Sequence, residues 1–326
     1  MAIAGDTPVP VPGGWVLAGS LRAGDYVYGS DGLPQRIQSI HAYTPQEMYL
    51  VTMSDGVALE TDQHTRLPIS TINNRIVENK YQGKRKRTAK QKFATPTQLL
   101  EQGLKGSNRN WNFSINNTQP IQFAHEDHPV PPFRAGMWMT RRNKQSHFCL
   151  RHDVLEYAQK EIRSNGWSFV MLRKNLLEMR PSIRNSFLTR YPTIPTTLPV
   201  DYYFGSLEQR IDLLRGLLVT NPGAYNKKTE EFLIHSRDLR HLIKLQGVCE
   251  SLGMKTQVFD NKTSLTHKLR FKTNIALLPW QQIEPNLKNA GRRSITGVAK
   301  TPVLASIHIT TEKPFVVGQG FLPIWH

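Results

Sequence analysis

Four consecutive residues, Thr61-Asp62-Gln63-His64, place a hydroxyl, a carboxylate and an imidazole just after the run Ala58-Leu59-Glu60. A histidine can give or take a proton near neutral pH, and a neighbouring polar group can orient what it serves. Taken alone, the stretch is an ordinary turn whose short polar side chains bond their own backbone. Further candidates lie far along the chain: Ser306, His308 and Lys313 in SIHITTEKPFVV, and His326 after Gly-Phe-Leu-Pro-Ile-Trp. A different chemistry is offered by HKLRFK, where Lys268, Arg270 and Lys272 alternate with apolar residues and so share one face of a strand. The only thiols, Cys149 and Cys249, are too few for a disulfide framework or a cysteine-based metal site.

The elements that must hold these residues differ along the chain. The first stretch reads as short strands, Trp15–Leu17, Tyr26–Tyr28, Arg36–Ile40, Met48–Met53 and Val57–Glu60. They are separated by Gly13-Gly14, Asp31-Gly32 and Asp55-Gly56, dipeptides suited to positive φ in tight turns. Thr95 followed by Pro96 predicts a helix start, with Leu99, Leu100 and Leu104 as its stripe and an end at Gly103 or Gly106. The basic run Lys84-Arg85-Lys86-Arg87 with Lys90 and Lys92 reads as an exposed loop. From about Pro129 to Ile283 the pattern turns helical, with three- and four-residue apolar spacing in Val154–Ile162, Leu207–Leu218 and Leu239–Leu252. Gly136 in PPFRAGMWMTRR and Gly216 in DLLRGLLVTNPG form a weak internal echo 80 residues apart. Strands return after Gly297, at Val303–Ile309, Phe315–Val317 and Phe321–Ile324, so the middle looks inserted into a β domain.

Charge follows the same division. Residues 1–70 hold three basic and seven acidic residues, a balance of −4, which leaves +21 for the rest of a chain whose total is +17. Such asymmetry suggests a part that met a polyanion joined to a part that did not. With 39% hydrophobic and 21% charged residues the composition is that of a soluble globular protein, and 326 residues leave room for two domains. No apolar run reaches the roughly 20 residues that span a bilayer, and the start MAIAGDTPVPVPGG lacks signal-peptide features. The expectation is a cytoplasmic monomer with no membrane partner.

Three blocks together resemble those of inteins, self-excising protein inserts. They are Ala2-Ile3-Ala4-Gly5-Asp6-Thr7 at the start, the Thr-x-x-His of Thr61–His64, and the histidine that ends the chain. The resemblance covers about residues 2–125 and 290–326. It implies an all-β horseshoe splicing (HINT) domain, with parts 1–125 and 289–326, around an inserted α/β domain of the LAGLIDADG homing-endonuclease type at 126–288. It also implies partners, the flanking extein sequences of a host in a prokaryotic or phage-infected cell, and no cofactor for splicing.

The implied roles follow from the chemistry. Turning a peptide bond into an ester or thioester is uphill, so a nucleophile must act on one side and hydrogen bonds on the other. His64 would protonate the departing amide nitrogen, Thr61 would hold the scissile peptide and Asp62 would orient the site. His326 would polarise the carbonyl attacked by the asparagine expected after it. Departures are equally plain. Ala2 stands where a Cys or Ser nucleophile is expected, and the chain stops at His326, so the two reactions each lack a participant and the chain reads as trapped before reaction. Ser306 replaces the family's Asp or Cys, and Lys313 its histidine, which leaves His308 as the substitute for assisting asparagine cyclisation. Splicing independent of cysteine, with Ser at position 2 of the parent, is the expectation.

The middle resembles the LAGLIDADG endonucleases through the framework around Gly136 and Gly216, where two helices would pack through small residues. Each helix should end in an acid that binds a shared divalent metal, yet Arg141 and Asn221 stand at those positions. Metal-dependent cleavage is therefore expected to be lost, and Mg2+ would matter only if nuclease activity survived. Affinity for double-stranded DNA through Lys268, Arg270 and Lys272 could outlast it. Two rival readings are an active DNA-binding homing nuclease and an autoprocessing HINT domain that cleaves without ligation.

Overall fold

The computed structural model describes all residues except Met1, 76–91, 107–108, 140–146, 151, 181–182, 192–197, 222–224, 227–228, 260–265, 280, 282–290 and His326. Side chains at 43–46, 184 and 303 are also outside the description. Arg141, His326 and the basic residues 84–87 and 90 thus lie outside the described residues. The chain divides into two compact units. The first comprises Met1–Gln122, Cys249–Gln257 and Asn286–His326; the second comprises Phe123–Val248 and Val258–Pro285.

The first unit is built on strands. In chain order they are β1 (Ala2–Ala4), β2 (Pro8–Val11), β3 (Gly14–Leu17), β4 (Tyr26–Tyr28), β5 (Pro34–Arg36), β6 (Ser39–Met53), β7 (Ala58–Asp62), β8 (Leu67–Thr71), β9 (Lys92–Ala94) and β10 (Phe113–Asn116). After the second unit come β18 (Arg292–Thr310), β19 (Phe315–Val317) and β20 (Leu322–Ile324). Helix α1 (Pro96–Gln102) starts at the expected Thr95, whose hydroxyl accepts the Gln98 N–H while the Gln98 side chain returns to the Thr95 N–H. Such a cap contributes about 1 kcal/mol. The helix ends at Gly103 with φ +73°, where a side chain would be strained.

One sheet, in the order β1-β7-β6-β18-β10-β8-β9, dominates, and β1 also pairs with β18. Pairing therefore runs in a closed circuit, β1 to β7 to β6 to β18 and back to β1. Long antiparallel strands can bend into such a circuit only where the ladder slips. Register shifts occur between Ile295 and Gly297, Thr301 and Leu304, and Leu304 and Ser306. Ile3, Val27, Val51, Leu67, Ile309 and Phe315 fill the core beneath.

In the second unit, α2 (Pro132–Met139), α3 (Leu155–Ser164), α4 (Ile183–Leu188), α5 (Leu207–Val219) and α6 (Leu239–Ser251) are interleaved with β11 (His147–Cys149), β12 (Ser168–Arg173), β13 (Leu176–Arg180), β14 (Tyr225–Asn226), β15 (Glu231–Ser236), β16 (Lys255–Phe259) and β17 (His267–Lys272), the end of α6 from Cys249 and the start of β16 to Gln257 counting with the first unit. Strands β11-β13-β12 form one sheet, and β14-β15-β17 are successive neighbours in another. The helical pattern over Pro129–Ile283 was thus only half of the architecture. Short strands such as Leu176–Arg180 carry too few residues for their alternation to stand out beside longer helical stripes. The glycine echo has a packing cause: a Cβ on Gly136 would strike the Leu213 carbonyl, and one on Gly216 the Phe133 carbonyl. Only glycine lets α2 and α5 approach so closely.

Candidate functional site

Ala2 is buried on β1, directly opposite His308, and Ile3 is opposite Thr61. The Thr61 hydroxyl donates to the Ala2 carbonyl at 3.1 Å. A second hydroxyl, on buried Thr65, lies 3.3 Å from the same carbonyl and 2.6 Å from Asp62 Oδ1. One hydroxyl has one proton, so the shorter contact takes it and Thr61 is the principal donor to Ala2. Asp62 also accepts the His64 N–H at 3.2 Å, which fixes the turn that carries the histidine. The His64 ring is exposed and contacts the Gln63 side-chain amide at 3.2 Å; among the described residues no hydrogen bond joins it to Ala2.

The last described residue reaches the same turn. Arg66 N–H donates to the Trp325 carbonyl and Trp325 N–H to the Arg66 carbonyl, both at 2.9 Å. A doubly bonded pair of this kind sets backbone position tightly. Residues 61–66 therefore hold Ala2 at one end and Trp325, the neighbour of His326, at the other.

The remaining candidates are dispersed. Ser306 is buried opposite Ala4. His308, opposite Ala2 on one side, is opposite His41 on the other, the two rings 6.2 Å apart. Because paired residues on an antiparallel ladder share a face, His308 sits beside Ala2. Lys313 is exposed, its ammonium 3.2 Å from Asp31 Oδ2.

In the second unit Lys268, Arg270 and Lys272 are half-buried on β17, and Leu269 and Phe271 between them are buried. The alternation is as expected, but Glu231 lies 3.9 Å from Arg270 and 3.7 Å from Lys272, offsetting part of their charge. Burial and the nearby Lys268 lower the His235 pKa, so that ring adds no cation at neutral pH. Asn221 follows α5, its N–H bonded to the Leu218 carbonyl. Neither Arg141, which lies outside the described residues, nor Asn221 offers a carboxylate to a hard divalent cation. Among the described residues no group of three or more His, Cys, Asp or Glu could hold a metal.

Sequence reasoning missed Thr65, although its position three residues after Asp62 is the spacing of a hydroxyl returning to a turn carboxylate. It also missed Arg66, whose role is carried by backbone and leaves no mark on residue type.

No protein-family model matches the sequence. A replicative DNA helicase DnaB of Mycobacterium intracellulare is 23% identical over 317 residues, covering 92% of this chain and 51% of that protein. The chain thus spans about half the length of the curated relative it matches. The solved Msm DnaB1 intein splicing domain, bound with zinc, is 35% identical over 21% of this chain and 55% of its own, with a TM-score of 0.20. Variants of the homing endonuclease I-DmoI match 48% of this chain and 98% of theirs at 10% identity, with a TM-score of 0.31. The chain resembles an intein with a nested homing endonuclease. The first unit is built mainly of strands, and the second mixes helices and strands around the glycine-packed α2 and α5. Among the described residues, no helix is long and apolar enough to cross a membrane.

Proposed function

We propose that this chain is a protein-splicing element whose first unit excises itself from a host precursor and joins the flanks. The observation that carries the proposal is the convergence of Ala2 and Trp325 on residues 61–66. A peptide exchange between two distant bonds requires both to be held within reach of one set of groups, and proximity of this kind supplies much of the rate.

In the reaction, a hydroxyl or thiol at position 2 attacks the preceding carbonyl, the C–N bond breaks, and the freed amine takes a proton from His64, which regains one through solvent as the nucleophile loses its own. Thr61 restrains the Ala2 carbonyl so that the amide nitrogen keeps its orientation. A downstream nucleophile then takes over the acyl group. An asparagine after His326 closes on its own carbonyl and releases the second junction, and the joined flanks relax to a peptide. Ala2 has only a methyl group, so the first attack cannot occur with alanine there. The relative's name leads us to propose a replicative helicase as the host. Duplex DNA remains a proposed partner of the second unit, through the cationic row of β17 and without metal-dependent cleavage.

The test places the chain between two foreign flanks, with Ala2→Ser or Ala2→Cys and Asn-Ser following His326. Ligated flanks and a free excised chain are the expected products. Intact precursor at several temperatures would refute the proposal.

A further inference from the structure

We infer that Glu250, which lies in sequence within the endonuclease-like insert, is a positioning residue for the C-terminal splicing step; the inference rests on the splicing function proposed above. Cys249–Gln257 belongs by its contacts to the first unit, although the residues before and after it belong to the second. The attachment is specific. Ile121 N–H donates to the Ser251 carbonyl at 2.8 Å, and the Asn117 side-chain amide donates to the Gly253 carbonyl at 2.9 Å. Gly253 has φ +76°, and a Cβ there would meet the Thr118 carbonyl at 2.6 Å.

Glu250 is buried, and its Oε1 accepts the Thr256 hydroxyl at 2.7 Å. The same oxygen lies 3.4 Å from Arg293 NH2, while Arg293 Nε is 2.8 Å from Asp55 Oδ2. Side-chain exposures of 3% for Arg293, 0% for Asp55 and 2% for Glu250 put all three charges out of water, where an ion keeps its place only through its partners. Arg293 is thus held by a carboxylate on each side, and its NH1 donates to the Gly320 carbonyl.

Gly320 lies in the turn that launches β20, the strand running to Trp325. That turn is not self-supporting. Phe321 has φ +52°, a conformation few non-glycine residues adopt, and it persists only when surroundings enforce it. The enforcing contacts are the Arg293 bond to Gly320, the Phe321 N–H bond to the Gly318 carbonyl at 3.0 Å, and the Phe321 ring against Trp15 at 5.1 Å. Glu250 acts on the turn through Arg293. Without its charge the guanidinium is drawn towards Asp55 alone, and the path to the last residues is no longer fixed.

The experiment uses the full flanked chain with Ala2→Ser and an asparagine after His326. It compares the parent with Glu250→Gln, Glu250→Asp and Thr256→Val. Hydroxylamine-induced release of the upstream flank reports the N-terminal step; release of the downstream flank reports the C-terminal step. Glu250→Gln keeps the side-chain shape and leaves a one-to-one Asp55–Arg293 pair, so folding is retained. Its C-terminal step should slow by about tenfold or more, the scale of a small misplacement at a reacting bond. The N-terminal step should stay within about twofold, Thr256→Val should show a smaller loss of the same kind, and Glu250→Asp should recover part of the C-terminal rate. An unchanged C-terminal rate in Glu250→Gln would overturn the inference, as would parallel loss of both steps with a lowered melting temperature. A parent that cleaves at neither junction would instead sink the splicing reading itself.

Discussion

In the first unit the residues that could do chemistry are gathered by backbone, whereas in the second two glycines set a close helix contact with no cluster of metal-binding side chains among the described residues. Ala2 and Trp325 are tied to the 61–66 turn by hydrogen bonds that survive whatever side chain occupies position 2. The α2–α5 contact likewise survives whatever residue follows the helices, because it depends on Gly136 and Gly216. Geometry and reactivity are thus separable, and the two units show opposite consequences. Restoring a nucleophile at position 2 and an asparagine after His326 should re-arm the first unit, while Arg141 and Asn221 offer the second no carboxylate.

The comparison can be broken most forcefully at the helix contact. Gly216→Leu should destabilise the second unit by about 3 kcal/mol or more, since overpacking meets backbone rather than a yielding side chain. Chemical denaturation should show that loss, and with it a failure of the claim if the unit unfolds at the parent's midpoint. Next in size is Thr61→Val in the Ala2→Ser background. Removing the donor to the Ala2 carbonyl should slow the N-terminal step by roughly tenfold to a hundredfold, with the C-terminal step much less affected. Equal slowing of both steps would show that the 61–66 turn acts as one body.

A smaller effect is expected at β17. Glu231→Gln removes the carboxylate beside Arg270 and Lys272 and should tighten duplex DNA binding by about two- to fivefold in low salt, with a steeper salt dependence. Titration of a labelled duplex over a range of salt checks this, and no change would argue against β17 as the contact. The smallest effect is a pH dependence. The His128 ring is buried and stacked on Tyr202 at 4.0 Å. Burial lowers its pKa despite Asp201 at 3.6 Å. The unfolded chain therefore takes the proton first, so stability from this group is complete above the ordinary histidine pKa of about 6.5 and declines as pH falls below it. Melting curves of the parent and His128→Phe should converge towards high pH and separate in mild acid, the variant losing less.

Much of the first unit was legible. The turn glycines, the Thr95 cap and the final two strands lie where residue type dictated, because each depends on local chemistry. The longest strands were not. The expected strands stop at Ile40 and begin again at Met48 and Val303, whereas β6 and β18 run on through Pro45 and Pro302, residues that cannot donate to a ladder. The register slips between Thr301 and Leu304, so Pro302 falls at a bulge, where that donor is not required. β1 escaped notice because three residues carry no period, and its place comes from two long-range partners. For the candidate site, His64 and Thr61 were visible through their spacing, and Thr65 could have been found by the same rule. Asp55, Arg293 and Glu250 could not, since nothing local marks ions that meet across 43 and 238 residues of chain.

One hydrogen bond near the sheet bears on how such a chain could have arisen. Asn117 N–H donates to the Gly291 carbonyl at 2.7 Å, where the strand β10 ends and β18 is about to begin. Between them the chain passes to the second unit after Gln122 and again after Gln257, returning at Cys249 and at Asn286. For a flexible loop closed at such a point, doubling its length costs only about 0.6 kcal/mol, so the host sheet is nearly indifferent to how much polypeptide is lodged there. Polypeptide lodged there can therefore change length with little penalty to the sheet, provided Cys249–Gln257, which belongs to the first unit, is left in place.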